Sequence, residues 1–495
     1  MIRSILLCLL CTTISFIHAQ KGSDLKAWKT EGLSITKHQI KLGNETISYT
    51  ATTGYMDMRD EKDTLKANLF FIAYTKDGES DPSKRPILFS FNGGPGSSSV
   101  WLHMGALGPK IVNMTEAGES LAPPYKYSDN PHTWLDKADL VFIDPMMTGY
   151  TRPAGRNNAA DYFGYNNDLQ FVGDFIRLYT TRYQRWSSPK FIAGESYGTT
   201  RAAGLSGYLQ SRHGLYVNGI ILVSAILDFG TVRTDRGNDL PHALTLPTFA
   251  ATAWYHKKLG NQFPDLQTLL QQVQAFATGP YLLALAKGDR LQGEERQQII
   301  RQLQQFTGLS ATYLDQVNLR LTVGPFNKEL LRSEKQTVGR LDSRIKGQDY
   351  DHAGSSYDYD PSYERAIYGP YTAALNDYLR RDLGYSNDLP YEILTGRVRP
   401  WTNSQDRYLN VAETLRSAMV QNPFLKVWIC NGYYDLATPY YATDYVIHHM
   451  FLPENLRSNI SFTYYEAGHM MYIHQPSLLQ LKKDYNRFME SVLAK

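Results

Sequence analysis

KFIAGESYGTTRAAG, residues 190–204, carries an apolar run into a helical one through GESYG, a serine with glycines two residues to either side. The run at 190–194 predicts a strand, and Ala202, Ala203 and Gly204 fall in a helix beginning at about Thr199. A G-x-S-x-G pentapeptide arises from composition alone about 0.2 times in a chain of this length, so its weight lies in its setting. Between a strand and a helix, the two glycines let the chain turn sharply and approach its neighbours, leaving the hydroxyl of Ser196 exposed at the end of the strand. Ser196 is therefore the candidate nucleophile.

Outward from that turn, apolar strands alternate with helices. Strand-like segments occupy 38–91, beginning with HQIKLGNETISYT, which reads as a hairpin turning at Gly43-Asn44. ADLVFID (138–144), an amphipathic helix from about Asn167 to Tyr183, KFIAG and NGIILVSAI (218–226) follow. This rhythm predicts a mainly parallel sheet covered on both faces. It breaks over 235–395, where LQTLLQQVQAFA and ERQQIIRQLQQFTGL are helical and polar and GQDYDHAGSSYDYDPSYE reads as a solvated loop. FLKVWICNG, a helix with Thr438 as N-cap and Pro439 at its first position, and NISFTYYEAG then restore the pattern. The expected organisation is a sheet-and-helix core at 20–234 and 396–495, with an inserted helical subdomain at 235–395.

A serine hydroxyl needs a base to take its proton, and the base needs a carboxylate to orient it. Around such a turn the acid and then the histidine follow the serine in the chain. Asp435, just past VWICNGYY, and His469, just past FTYYEAG, end successive strands of the resumed pattern, where parallel sheets gather distant residues. Asp435 also stands where it could cap the following helix. His103 is expected to line the site, being near a glycine-rich loop, whereas His448, His449 and His474 read as helix or surface residues.

FNGGPGSSS (91–99), GESYG (194–198), NGYYDLATP (431–439) and EAGHMMYIHQP (466–476) together resemble the serine carboxypeptidases, a branch of the α/β-hydrolase fold. The resemblance covers most of the chain and suggests an exported, bacterial-like member. It implies Ser196 as nucleophile, His469 as general acid/base and Asp435 as orienting acid. It implies that Gly94 and Tyr197 offer backbone N–H groups to the oxyanion, and that Asn92, Gly93 and Glu195 bind the C-terminal carboxylate of a peptide. Met470 would line the pocket of the leaving residue. Glu195 can bond a carboxylate only while protonated, since like charges in a closed site repel; alternatively it is ionised and caps a helix. Three departures stand out. Ser97 replaces a cysteine of the better-known members, Ala106 a second glutamate, and TTRAAG the usual Gly-x-Tyr-x-Pro continuation. Without that second carboxylate the preference for acid conditions is expected to weaken.

The 495 residues are 42% hydrophobic and 20% charged with a formal net charge of +3, so no basic balance points to nucleic acid or an anionic membrane. Residues 1–19, with Arg3, an apolar stretch from Ile5 to Leu10 and Ile17-His18-Ala19, read as a signal peptide cleaved near Ala19, placing the protein in the periplasm or outside the cell. Cys8 and Cys11 would leave with it, and Cys430 alone forms no internal disulfide. No histidine, cysteine or carboxylate cluster has metal spacing, and the proposed chemistry requires no cofactor. The expected partner is a peptide with a free C-terminal carboxylate, without stable membrane association. The competing readings are an esterase or acyltransferase on the same scaffold and a non-catalytic binding protein.

Overall fold

The computed structural model describes residues 32–402 and 407–494, so the expected signal peptide at 1–19 lies outside the described residues. From Leu33 onward the chain makes one compact unit. Its centre is a ten-stranded sheet formed by β1 (Ser34–Leu42), β2 (Glu45–Arg59), β3 (Leu65–Lys76), β4 (Ile87–Phe91), β5 (Asp139–Ile143), β6 (Arg152–Pro153), β7 (Lys190–Glu195), β8 (Gly219–Val223), β9 (Lys426–Gly432) and β10 (Ile460–Tyr465). The order is β1-β2-β3-β5-β4-β7-β8-β9-β10, with β6 attached to β3. β1, β2, β3 and β5 pair antiparallel, and every pairing from β5 through β4 to β10 is parallel.

Burial explains the two halves. β1 alternates between exposed and covered positions, as a strand with one wet face does, and pairs Leu42 with Glu45 across the Gly43-Asn44 turn. β4, β5, β7 and β8 are buried at every residue, as strands covered on both faces must be. On one face, α1 (Tyr165–Arg182) sets Phe175 and Tyr179 against Phe71. On the other, the C-terminal helix Gln475–Leu493 packs Phe488 on Phe191 and Trp428 and stacks Tyr485 on Trp134 at 3.9 Å between ring centroids. Such an aromatic pair adds about 1 kcal/mol beyond the area it buries.

Residues 235–395 divide their apolar side chains between two clusters. The helices Leu240–Tyr255, Leu266–Phe276 and Gly293–Thr307 form one cluster with Phe326 and Leu330, joined by Tyr433, Tyr434 and Leu436 from beyond β9. The helix Gly369–Arg381 instead buries Tyr371, Leu375 and Tyr378 in the cluster beneath the sheet. Strand content in this stretch amounts to Thr337–Val338 paired with Lys346–Gly347.

Candidate active site

Ser196 follows β7 with φ 60° and ψ −130°, between that strand and α2 (Tyr197–His213). A non-glycine residue held there carries about 1–3 kcal/mol of backbone strain, which the surrounding structure must maintain. The elbow is clamped by Ser196 N–H donating to Val223 O (3.0 Å) and Thr199 N–H to Ser196 O (2.8 Å). A side chain at residue 194 would place its Cβ 2.1 Å from Gly198 O, so the first glycine of the motif is compelled by close approach.

His469 and Asp435 meet as the chain order implies. Nδ1 of His469 lies 2.7 Å from Oδ2 of Asp435, and both residues are buried. Asp435 Oδ1 accepts from the amides of Ala437 (2.8 Å) and Thr438 (3.0 Å), and its Oδ2 from the Thr438 hydroxyl (2.6 Å). This corrects the expected N-cap: the helix starts at Tyr440 with Pro439 as its cap, because the Thr438 hydroxyl is engaged by the carboxylate. His469 is also fixed through its backbone, donating to Leu341 O (2.6 Å) and accepting from Ser224 Oγ (2.6 Å). Burial alone depresses the imidazole, but the charge and hydrogen bond of Asp435 outweigh it and hold His469 above its ordinary value.

The glycine loop lies directly against the elbow. A Cβ at residue 93 would fall 2.4 Å from the Tyr197 amide nitrogen. Ser97 N–H closes the turn on Gly93 O (3.1 Å). The loop is tied to 393–395 by Ser98 N–H to Ile393 O (3.0 Å) and Thr395 N–H to Gly96 O (2.9 Å), while Ser97, the cysteine replacement, accepts from Trp101 Nε1 (2.8 Å). Asn92 Oδ1 accepts from Leu102 N–H (3.1 Å), and its buried side-chain amide lies beside Glu195, where it helps hold that carboxyl down.

Two cavities meet at Ser196. One, of about 570 Å³, is lined by Asn92, Gly93, Gly94, Glu195, Ser196, His469 and Met470 among others. The other, of about 520 Å³, shares Gly94 and Ser196 and adds Tyr197, Phe229, Phe249 and Thr438. Asp435 lies fully buried behind His469. No hydrogen bond joins Ser196 to His469 among the described residues; such bonds commonly tighten only once substrate is in place. His103 does not line the site. It is fully buried, with Nε2 2.7 Å from the Tyr74 hydroxyl, and its ring stacks on Phe142, because its segment turns into the core.

Glu195 is buried, and burial pushes it up to about 7; the nearby His469 charge and a hydrogen bond from Tyr472 act against that rise. The Tyr472 hydroxyl donates to Glu195 Oε2 at 2.5 Å. Ala106, at the position of the family's second glutamate, is buried among apolar residues, so Glu195 is raised chiefly by desolvation, with the nearby Asp435 charge adding to it. Tyr472 and Thr438 were missed in the sequence, although both fall inside the quoted motifs, because a hydroxyl's partner is set by the fold. The loop read as solvated is partly part of the site: Tyr357, Asp358, Tyr359 and Asp360 line the first cavity.

A mostly parallel sheet covered on both faces, with a strained serine at a strand-to-helix elbow and a His–Asp pair after later strands, defines an α/β-hydrolase. The fold is similar to the crystal structure of a prohormone-processing carboxypeptidase from Saccharomyces cerevisiae, with a TM-score of 0.53 and 16% identity over 89% of this chain and 91% of that one. The serine carboxypeptidase family description matches residues 43–481, and the chain belongs to that family. Carboxypeptidase Y of Schizosaccharomyces pombe is 32% identical over 177 residues, 35% of this chain and 16% of that protein. Carboxypeptidase Y of Saccharomyces cerevisiae is 30% identical over 152 residues, 30% of this chain and 25% of that protein. The alignments thus span a quarter or less of these two relatives.

Proposed function

We propose that the protein is a serine carboxypeptidase that removes single residues from peptide C-termini through an acyl-enzyme. Ser196 attacks the carbonyl of the last peptide bond, and Nε2 of His469, oriented by Asp435, takes the hydroxyl proton. The N–H groups of Gly94 and Tyr197 receive the oxyanion, each such donor contributing about 3 kcal/mol to the transition state. His469 passes the proton to the departing amine, and water attacking the acyl-enzyme by the same route restores Ser196.

One observation carries the exopeptidase reading: the wall beside Ser196 holds a buried carboxyl raised to about 7 and, beside it, the buried side-chain amide of Asn92. A protonated Glu195, Asn92 and the Gly93 N–H make a donor set for a terminal carboxylate, with Met470 beside the leaving side chain. The segment 235–395 is proposed to shape both cavities as an inserted subdomain, supported by Tyr363 on the first and Thr245 and Phe249 on the second. We further propose export of a bacterial-like enzyme to the periplasm or beyond. Arg3 and the apolar stretch after it support that placement, and a mature N-terminus near Gln20 by mass spectrometry would test it.

The function is tested by incubating an N-blocked peptide acid, its C-terminal amide and a simple ester with the protein and with Ser196→Ala. Loss of single C-terminal residues from the acid alone, absent in the variant, is expected. Cleavage confined to the ester would remove the carboxylate-binding role of Glu195 and Asn92 and leave an esterase.

A further inference from the structure

Arg201 stands in the part of GESYGTTRAAG that departs from the family pattern, one turn into α2, and its side chain is 1% exposed. Its guanidinium has three engagements. Nε donates to Asp168 Oδ2 (2.8 Å) and Nη2 to Asp168 Oδ1 (3.1 Å), a bidentate pair with a carboxylate in the first turn of α1. Nη1 donates to the backbone carbonyl of Asn92 (2.7 Å). Its Cζ also lies 5.0 Å from the Phe91 ring centroid and 5.3 Å from that of Tyr197. Neither Arg201 nor Asp168 lines either cavity that meets at Ser196.

We propose that Arg201, held by Asp168, is a positioning residue that locks the Asn92–Gly94 loop to the Ser196–Tyr197 elbow and so fixes the spacing of the oxyanion and carboxylate donors. The inference rests on the proposed role of those donors. The Asn92 carbonyl and the Gly93 N–H belong to one planar peptide unit and point in opposite directions. A charge-assisted bond to the carbonyl therefore holds and polarises that unit while its N–H stays available on the other side. Placed 5.3 Å from the Tyr197 ring centroid, the same planar cation braces the residue whose amide is the second oxyanion donor. Stability alone is a weak reason for the arrangement, since a buried ion pair gains little over apolar residues of similar volume. Three fixed directions from one rigid fork are what a lysine or an apolar side chain cannot supply.

The test separates positioning from folding. Arg201→Lys and the double variant Arg201→Met/Asp168→Leu are compared with the wild type by thermal unfolding and by kcat and KM on the peptide acid and the ester. The double variant removes both charges and is expected to unfold near the wild-type temperature. With the ester, kcat is expected to fall about 10- to 100-fold in both variants with KM little changed, as for a displaced oxyanion donor. With the peptide acid, KM is expected to rise as well, because the Gly93 donor moves. If Arg201→Lys, or a folded double variant, keeps wild-type kcat on the ester, the proposal is overturned. Should the double variant fail to fold, the lysine variant decides. If the wild type cleaves only the ester, the carboxypeptidase reading fails while the ester measurement still tests Arg201.

Discussion

Glu195 should give this enzyme a descending pH limb that appears only with substrates bearing a free carboxylate. Its carboxyl is buried and raised from 4.5 to about 7, and it can receive a substrate carboxylate only while protonated. Half of it is therefore available near pH 7, and each further pH unit removes about tenfold. Between about pH 7 and pH 9, kcat/KM on the peptide acid should fall about 50-fold relative to kcat/KM on an ester, which does not fall. The ascending limb, common to both substrates, belongs to His469; because His469 and Glu195 interact, the two limbs report the pair. Glu195→Gln keeps a neutral donor at every pH, so its descending limb with the peptide acid should vanish. The reasoning is refuted if Glu195→Gln retains that limb, or if the ester falls in parallel with the acid.

The same group makes a prediction about stability. Its folded value lies above its unfolded one, so protonation favours the folded state. That contribution is fully present below about pH 4.5 and is lost as pH rises through about 7, an interval corresponding to about 3 kcal/mol. Relative to wild type, Glu195→Gln should therefore gain stability between about pH 4.5 and pH 8, read as the difference in denaturant midpoints at the two pH values. A constant difference across that range would refute the buried, neutral carboxyl.

Three further substitutions probe the surroundings. Tyr472→Phe removes a hydrogen bond that holds Glu195 down, so the descending limb with a peptide acid should move to higher pH; a shift to lower pH contradicts the assignment. Thr438→Val removes the hydroxyl donor to Asp435 Oδ2 and leaves the carboxylate its two amide donors and His469; kcat should fall about tenfold with a destabilisation of about 2 kcal/mol, measured by steady-state kinetics and urea unfolding. Gly194→Ala would drive a methyl group to 2.1 Å from the Gly198 carbonyl oxygen, so activity and the thermal unfolding transition should be lost together, with overpacking costing about 3 kcal/mol or more.

The fold was legible wherever one periodicity dominated. ILFSF, DLVFI and GIILV are apolar throughout because both of their faces are covered, and the hairpin turn at Gly43-Asn44 is written in residue types that few other conformations favour. The stretch 235–395 was less legible, since amphipathicity marks a face without naming what covers it. Thus the helix Gly369–Arg381 reads much like Gly293–Thr307, yet one packs beneath the sheet and the other in a separate cluster. His103 misled for the same reason: nearness in sequence to the glycine loop does not say which way a turn points.

At the site, the groups legible in sequence are those whose chemistry demands a fixed local backbone. Ser196 needs its elbow, and Gly194 before it and Gly93 against it are compelled by approaches of 2.1 and 2.4 Å, so they leave a pattern in the chain. Asp435 and His469, the expected acid and base, could be picked out because the strands that carry them are regular, and the fold brings the two side chains together. What stayed hidden are the groups that act through partners distant in sequence: Tyr472 on Glu195, Arg201 on the Asn92 carbonyl, and Tyr357 and Tyr359 at the cavity wall. Ala106 shows the limit most directly. The absent second carboxylate suggested a weaker acid preference, yet burial, with a smaller push from Asp435, lifts Glu195 to about 7. Burial and a like-charged neighbour push a carboxyl the same way, so the missing glutamate removes one contribution, and only the folded surroundings reveal that burial and the charge of Asp435 remain.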